Sequence, residues 1–133
     1  MSAPNRHRFQ GIDHVQIAAP PGCEAEARRF FGELLGLAEL TKPPALAVRG
    51  GAWFQCGAQQ IHVGAEQDFR PAKKAHPALR LEDEASLEAL KHRLELGGVV
   101  LRDGEELSDT ARFFAQDPWG NRLEFVAAKG AQT

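Results

Sequence analysis

GIDHVQIAAPPGCEAEARRFFGELLG, residues 11–36, reads as one strand followed by one amphipathic helix. Over 11–18 apolar and polar side chains alternate, with β-branched residues among them, the period of a half-buried strand. Pro20-Pro21-Gly22 closes it. From residue 24 onward Ala27, Phe30, Phe31, Leu34 and Leu35 recur at helical spacing and form one stripe, with Gly36 placed to end the helix. Three short strand candidates follow at 45–49, 52–56 and 59–64, separated by Gly50-Gly51 and Gly57-Ala58.

The pattern then begins again. Residues 77–81 form a strand candidate opened by His76. Asp83 is placed to cap a helix reaching about residue 96, with Leu87, Leu90 and Leu94 on one face and Gly97-Gly98 at its end. Closing strands are expected at 99–102, 111–116 and 122–127, the last two joined by the turn Asp117-Pro118-Trp119-Gly120-Asn121. The order is β-α-β-β-β, twice. The modules span about 11–64 and 76–127, and the linker 65–75 is too short to tether independent domains. Neither module alone covers both its sheet and its helix. A single domain over 1–133 is therefore expected, an α+β fold in which the modules form a curved, mostly antiparallel sheet around a central cleft.

Composition narrows the function. The chain has 133 residues, 43% hydrophobic and 26% charged, with a net charge of −2, as in ordinary soluble globular domains. Basic residues form no stripe, which argues against nucleic acid, and no apolar run is long enough to span a membrane. The start, MSAPNRHRFQ, lacks the apolar stretch of a secretory signal, and residues 1–8 read as a frayed arm. Cys23 and Cys56 show neither metal nor redox spacing, so a cytoplasmic protein with reduced thiols is expected.

One repeat distance carries the chemistry. The same 62-residue step takes His14 to His76, His62 to Glu124 and Gly36 to Gly98. An even step keeps a strand residue on its face. His14 shares a face with Gln16, His62 with Gln60, His76 with Arg80, and Glu124 with Arg122, while Val15, Ile17, Ile61, Val63, Leu79, Leu123 and Phe125 occupy the opposite faces. Three imidazoles and one carboxylate suit a borderline divalent ion such as Zn, Ni, Mn or Fe, and four protein ligands leave room for water or substrate. His14, His62, His76 and Glu124 are thus the candidate metal ligands, with Glu124 and His62 the candidate proton carriers. With Arg80 and Arg122, a divalent ion and one carboxylate, the formal charge would be about +3, which favours an anionic or enolisable small-molecule substrate. Gln16, Arg80, Arg122, Phe54 and Phe114 are the candidate substrate contacts. Trp53, Phe54, Phe113 and Phe114 suit either an apolar pocket or ordinary core, and Trp119 suits a lid or an interface. Cys56 reads as a small buried hydrophobe, and His7 and His92 as solvated.

IDHVQIA, FFGELLGL, QQIHVG, AHPALRL and above all DPWGNRLEF resemble the vicinal oxygen chelate superfamily, which includes glyoxalase I, fosfomycin- and bleomycin-resistance proteins and extradiol dioxygenases. The resemblance covers about residues 12–126. It implies paired βαβββ modules, a U-shaped cleft around one divalent metal, and a homodimer. By position His14, His76 and Glu124 match the family's recurrent ligands, and His62 stands where glyoxalase I carries a glutamate. The chain has no tyrosine, unlike the sites of extradiol dioxygenases and fosfomycin-resistance proteins. Three readings follow: a metal-dependent lyase or isomerase acting next to a carbonyl, an Fe(II)-dependent dioxygenase, and a protein that sequesters a small molecule or drug without catalysis.

Overall fold

A computed structural model describes residues 6–130; the first five residues of the expected frayed arm lie outside the described part. Two four-stranded sheets form the molecule, each with the same strand order. β1 (His14–Ala19), β2 (Glu39–Leu40), β3 (Ala52–Cys56) and β4 (Gln59–Ala65) give β1-β4-β3-β2. β5 (Ala78–Arg80), β6 (Leu101–Asp103), β7 (Thr110–Gln116) and β8 (Arg122–Ala128) give β5-β8-β7-β6. In each sheet the first strand pairs parallel with the last and the other pairs are antiparallel. The architecture is the expected α+β fold of two βαβββ modules, each contributing one mostly antiparallel four-stranded sheet. Parallel pairing of the first and last strands follows from the helical crossover between them.

The duplication is kept to the residue in that pairing. Gln16 sits opposite His62 on β1 and β4, and 62 residues later Ala78 sits opposite Glu124 on β5 and β8. The antiparallel hairpins differ by one residue. His62 faces Trp53, whereas Glu124 faces Phe114, a step of 61 rather than 62. The longer turn at 117–121 absorbs the difference.

Helix α1 (Glu24–Ala27) continues directly into a π-helical stretch, Arg28–Leu34. The widened turn is visible in the bond from Leu35 N–H to Phe30 O, 2.9 Å. Adjacent Phe30 and Phe31 are both buried, and Phe31 stacks on Phe54 with ring centroids 5.6 Å apart. α-Helical periodicity thus located the buried stripe but not the wider turn. Gly36, at φ +76°, ends the helix in the left-handed region. The strand expected at 45–49 is instead one helical turn, α2 (Pro44–Ala47), started by Pro44 in its first turn. The missing strand is β2, pairing with β3. In the second module, α3 (Glu84–Leu96) is capped by Asp83, whose carboxylate accepts from Ser86 N–H at 2.7 Å, and buries Leu87 and Leu94.

Both helices cover the apolar faces of the sheets. Ile17, Phe54, Ile61 and Val63 of the first sheet and Phe113, Leu123 and Phe125 of the second join one core. Trp119, half-buried, stacks on Phe31 at 6.5 Å and packs on that core. Cys56, half-buried, packs there as well, as expected for a small hydrophobe.

A buried side chain ties the modules together. Asn121 is 3% exposed. Its Nδ2 donates to Ala18 O on β1 at 2.8 Å and to Asp117 Oδ2 at 2.7 Å, and its Oδ1 accepts from Ala72 N–H at 2.8 Å. Asn121→Ala would leave these groups buried and unpaired, so it should lower stability by about 3 kcal/mol, taking ~1–3 kcal/mol for each buried polar group left unsatisfied with partial relaxation. Urea unfolding monitored by tryptophan fluorescence measures the loss, and a change within about 0.5 kcal/mol, the size of an ordinary surface substitution, would show that the tie is not structural.

Candidate metal and substrate site

The four candidate ligands fall into two pairs, one per sheet. Alternation in β4 places Ile61 and Val63 in the core and turns His62 to the other face, against Trp53. The His62 ring lies between two others: Trp53 at 4.0 Å and 6°, His14 at 4.1 Å and 12°. Its Nε2 bonds to Gln60 Oε1 at 2.8 Å. Gln16 lies across from it, over Gly64, where a Cβ would come within 2.9 Å of the Gln16 amide. A glycine there gives Gln16 its position beside His62.

Burial, and then the neighbouring His14, hold His62 below the usual imidazole range. The neutral ring is therefore favoured at neutral pH, the form that offers a lone pair to a cation or a proton. Because the folded pKa is depressed, this contribution to stability is present above about 6.5, the unfolded imidazole value, and is lost as pH falls through and below it. His14 is more open, with a 44% exposed side chain, and Asp13 Oδ2 lies 2.9 Å from its Nδ1. The carboxylate fixes the hydrogen on Nδ1 and leaves Nε2 free.

The second pair is His76 and Glu124. His76 Nδ1 donates to Lys74 O at 2.8 Å, so its Nε2 points at Glu124 Oε1, 3.0 Å away. In the neutral ring a lone pair and a carboxylate face each other across that gap, an arrangement satisfied by a shared proton or a shared cation. The other oxygen, Glu124 Oε2, is 3.5 Å from Arg112 Nη1. Phe114 flanks the pair with its edge toward His76, ring centroids 5.5 Å apart.

The expected convergence of all four ligands does not occur within one chain. Among the described residues no three His, Cys, Asp or Glu side chains come close enough to hold one ion. The donor chemistry fits a divalent metal, and His76 with Glu124 is oriented for one. His14 and His62 stack, so their in-plane lone pairs run side by side; the exposed His14 must turn for both to reach one ion.

Of the candidate substrate contacts, Gln16, Arg80 and Arg122 line one groove of about 1120 Å³ between the edges of β1 and β5, with His76 and Gln60. Phe114 lies near, beside His76. Phe54 does not: it faces the helix and is fully buried, because it shares its face with the core residue Ala52. The residue in its place is Trp53, one position earlier, which only the strand register distinguishes. Arg112 is the other residue that the sequence reading missed. Its signal was its even spacing from Phe114 on one strand.

Removing the ring that covers His62 should move its titration. Trp53→Ala should bring the His62 midpoint upward toward about 6.5, the unperturbed imidazole value, measured by NMR pH titration of ring resonances. An unchanged midpoint would mean that burial under Trp53 does not set it.

The sequence matches the Glyoxalase/Bleomycin resistance protein/Dioxygenase superfamily over residues 11–125. Among curated proteins none matches. The fold resembles a solved protein of Bacillus anthracis assigned to the glyoxalase family, with 49% identity and a TM-score of 0.88 over 94% of this chain and all of that one. At 19% identity it also resembles a lactoylglutathione lyase of Agrobacterium tumefaciens (TM-score 0.69, 93% and 96% covered). An antibiotic binding protein of a Streptomyces species, TnmS3, shares the fold at 16% identity (TM-score 0.71, 92% and 98% covered). No helix among the described residues is long and apolar enough to cross a membrane. The chain belongs to the Glyoxalase/Bleomycin resistance protein/Dioxygenase superfamily.

Proposed function

We propose that the protein is a metal-dependent, glyoxalase-like lyase or isomerase acting next to a carbonyl, with its metal centre assembled between two copies of the chain. The observation that carries this reading is His76, whose Nδ1 is fixed by Lys74 O while Nε2 faces Glu124. Metal-binding histidines are commonly oriented in this way by a backbone acceptor. The other two donors sit at the equivalent register of the first sheet. A second copy would join the His14–His62 half of one chain to the His76–Glu124 half of the other. Ile12, 64% exposed and beside His14, gives apolar surface for that contact.

A divalent ion held there supplies Lewis-acid polarisation of a substrate oxygen. The protein's own groups do the rest. Glu124 and neutral His62 are placed to take a proton from a substrate carbon and return it to its neighbour. Gln16 offers an amide to substrate oxygen, and Arg80 and Arg122 attract an anionic substrate. Trp53 and Phe114 cover part of each pair, His62 and Glu124 being the buried members.

Complementation tests the assembly. A His14→Ala/His62→Ala chain and a His76→Ala/Glu124→Ala chain should each fold but bind no metal. Random pairing of the two should restore roughly a quarter of the wild-type metal content, since half of the dimers would hold one intact site. No restoration, with both variants folded and dimeric, would rule out a site shared between chains.

Elemental analysis of the wild type tests the chemistry. Zinc, nickel or manganese with turnover of α-hydroxycarbonyl or α-ketoacid substrates supports the lyase or isomerase. Oxygen-sensitive iron would replace it with the dioxygenase. Absence of metal after reconstitution, with tight binding of a planar drug, would replace it with sequestration.

A further inference from the structure

The second sheet carries an arginine cluster that extends beyond the candidate metal ligands. Three guanidinium groups surround the Phe114 ring: Arg122 at 4.2 Å, Arg112 at 5.5 Å and Arg102 at 5.6 Å from its centroid. Strand register explains the arrangement. Arg102 sits opposite Phe114 on β6, Arg112 is two residues before it on β7, and Arg122 is two residues before Glu124, its partner on β8. All four therefore share one face.

This face is poor in compensating charge. Among the described residues Glu124 is the one carboxylate within ion-pair distance of the three, through Arg112 at 3.5 Å. Arg112 Nε also donates to Glu105 O at 3.2 Å. Three cations against one carboxylate leave a formal excess of two. The groups repel one another, and stacking on an aromatic ring offsets only part of that. Arg102 is exposed and Arg122 half-buried, so both are within reach of a ligand. Gly104 keeps the platform closed: a Cβ there would lie 2.9 Å from Arg112 Nε and 3.1 Å from the Phe114 ring. Arg112 and Phe114 are thereby held between the sheet and this backbone.

We infer that Arg102, Arg112 and Arg122 around Phe114 form a recognition site for a dianionic group of the substrate, a phosphoryl group or a pair of carboxylates. The inference rests on the proposed function in that the same substrate would reach Glu124, which Arg112 joins to this ring. Guanidinium groups present planar pairs of N–H donors that match the oxygens of either group, and a dianion offsets more of the cationic excess than a monoanion. This sets the substrate class: small molecules carrying two negative charges beside the reacting carbonyl.

Binding of simple probes tests the site without turnover. Methyl phosphate, malonate and acetate are titrated into the metal-loaded protein and followed by NMR shift changes of Arg Nε–H signals. At least one of the two dianions should bind about tenfold or more tightly than acetate, as expected for charge-assisted pairing. Arg102→Gln and Arg122→Gln should each weaken that dianion by roughly tenfold and leave acetate nearly unchanged. Arg93→Gln, on α3 and bonded to Glu33 O, should change neither. Preference for methyl phosphate identifies the group as phosphoryl and preference for malonate as paired carboxylates. Equal binding of acetate and both dianions, or dianion binding unaffected in both variants, would overturn the inference. Metal content, measured on the same samples, reports separately on the proposed function: dianion binding without metal would leave this site standing and remove that reading.

Discussion

The structure depends on a buried carboxylate and the amide bonded to it. Asp117 lies in the turn between β7 and β8, 5% exposed. Burial pushes its carboxyl above the usual carboxylate range, while bonds from Asn121 oppose the shift. Its Oδ1 accepts from Trp119 N–H and Asn121 N–H, and its Oδ2 from Asn121 Nδ2. That frame orients Asn121 toward Ala18 of the first module and Ala72 of the linker. Apolar packing between the halves has no preferred direction, and this frame adds polar bonds that do. Those bonds help to fix the relation between the two halves, and with it that of the two pairs of candidate ligands.

Much of this was legible in the sequence because a duplication supplies its own alignment. A step of 62 residues identified His14, His62, His76 and Glu124, and the strand pairing preserves that step between Gln16–His62 and Ala78–Glu124. Helix α3 was legible from Asp83 and the leucine spacing. Other features were not. Residues 45–49 show strand-like composition, but Pro43-Pro44 starts a helical turn there and the true edge strand is only two residues long. Neighbouring aromatics in β3 point to opposite faces, so the choice between Trp53 and Phe54 turns on a one-residue register. Composition cannot fix that register. The separation of the ligands into two pairs was also illegible, since sequence spacing reports equivalence of position but not distance between sheets.

Each pair of candidate ligands is backed by an aromatic ring from the neighbouring antiparallel strand, Trp53 behind His62 and Phe114 beside His76. The two backings act differently. Trp53 lies flat on an imidazole and favours its neutral form by removing water. Phe114 presents its edge to His76 and its surroundings to three guanidinium groups. The first sheet therefore offers apolar cover over His62, and the second a charged platform. A ligand spanning both would be oriented end to end by that contrast alone.

His62 and Glu124 occupy the same place in the two copies of the unit. One copy carries a buried imidazole there and the other a buried carboxylate. The duplicated fold thus acts as a two-slot chassis: the same strand register presents an imidazole in one slot and a carboxylate in the other.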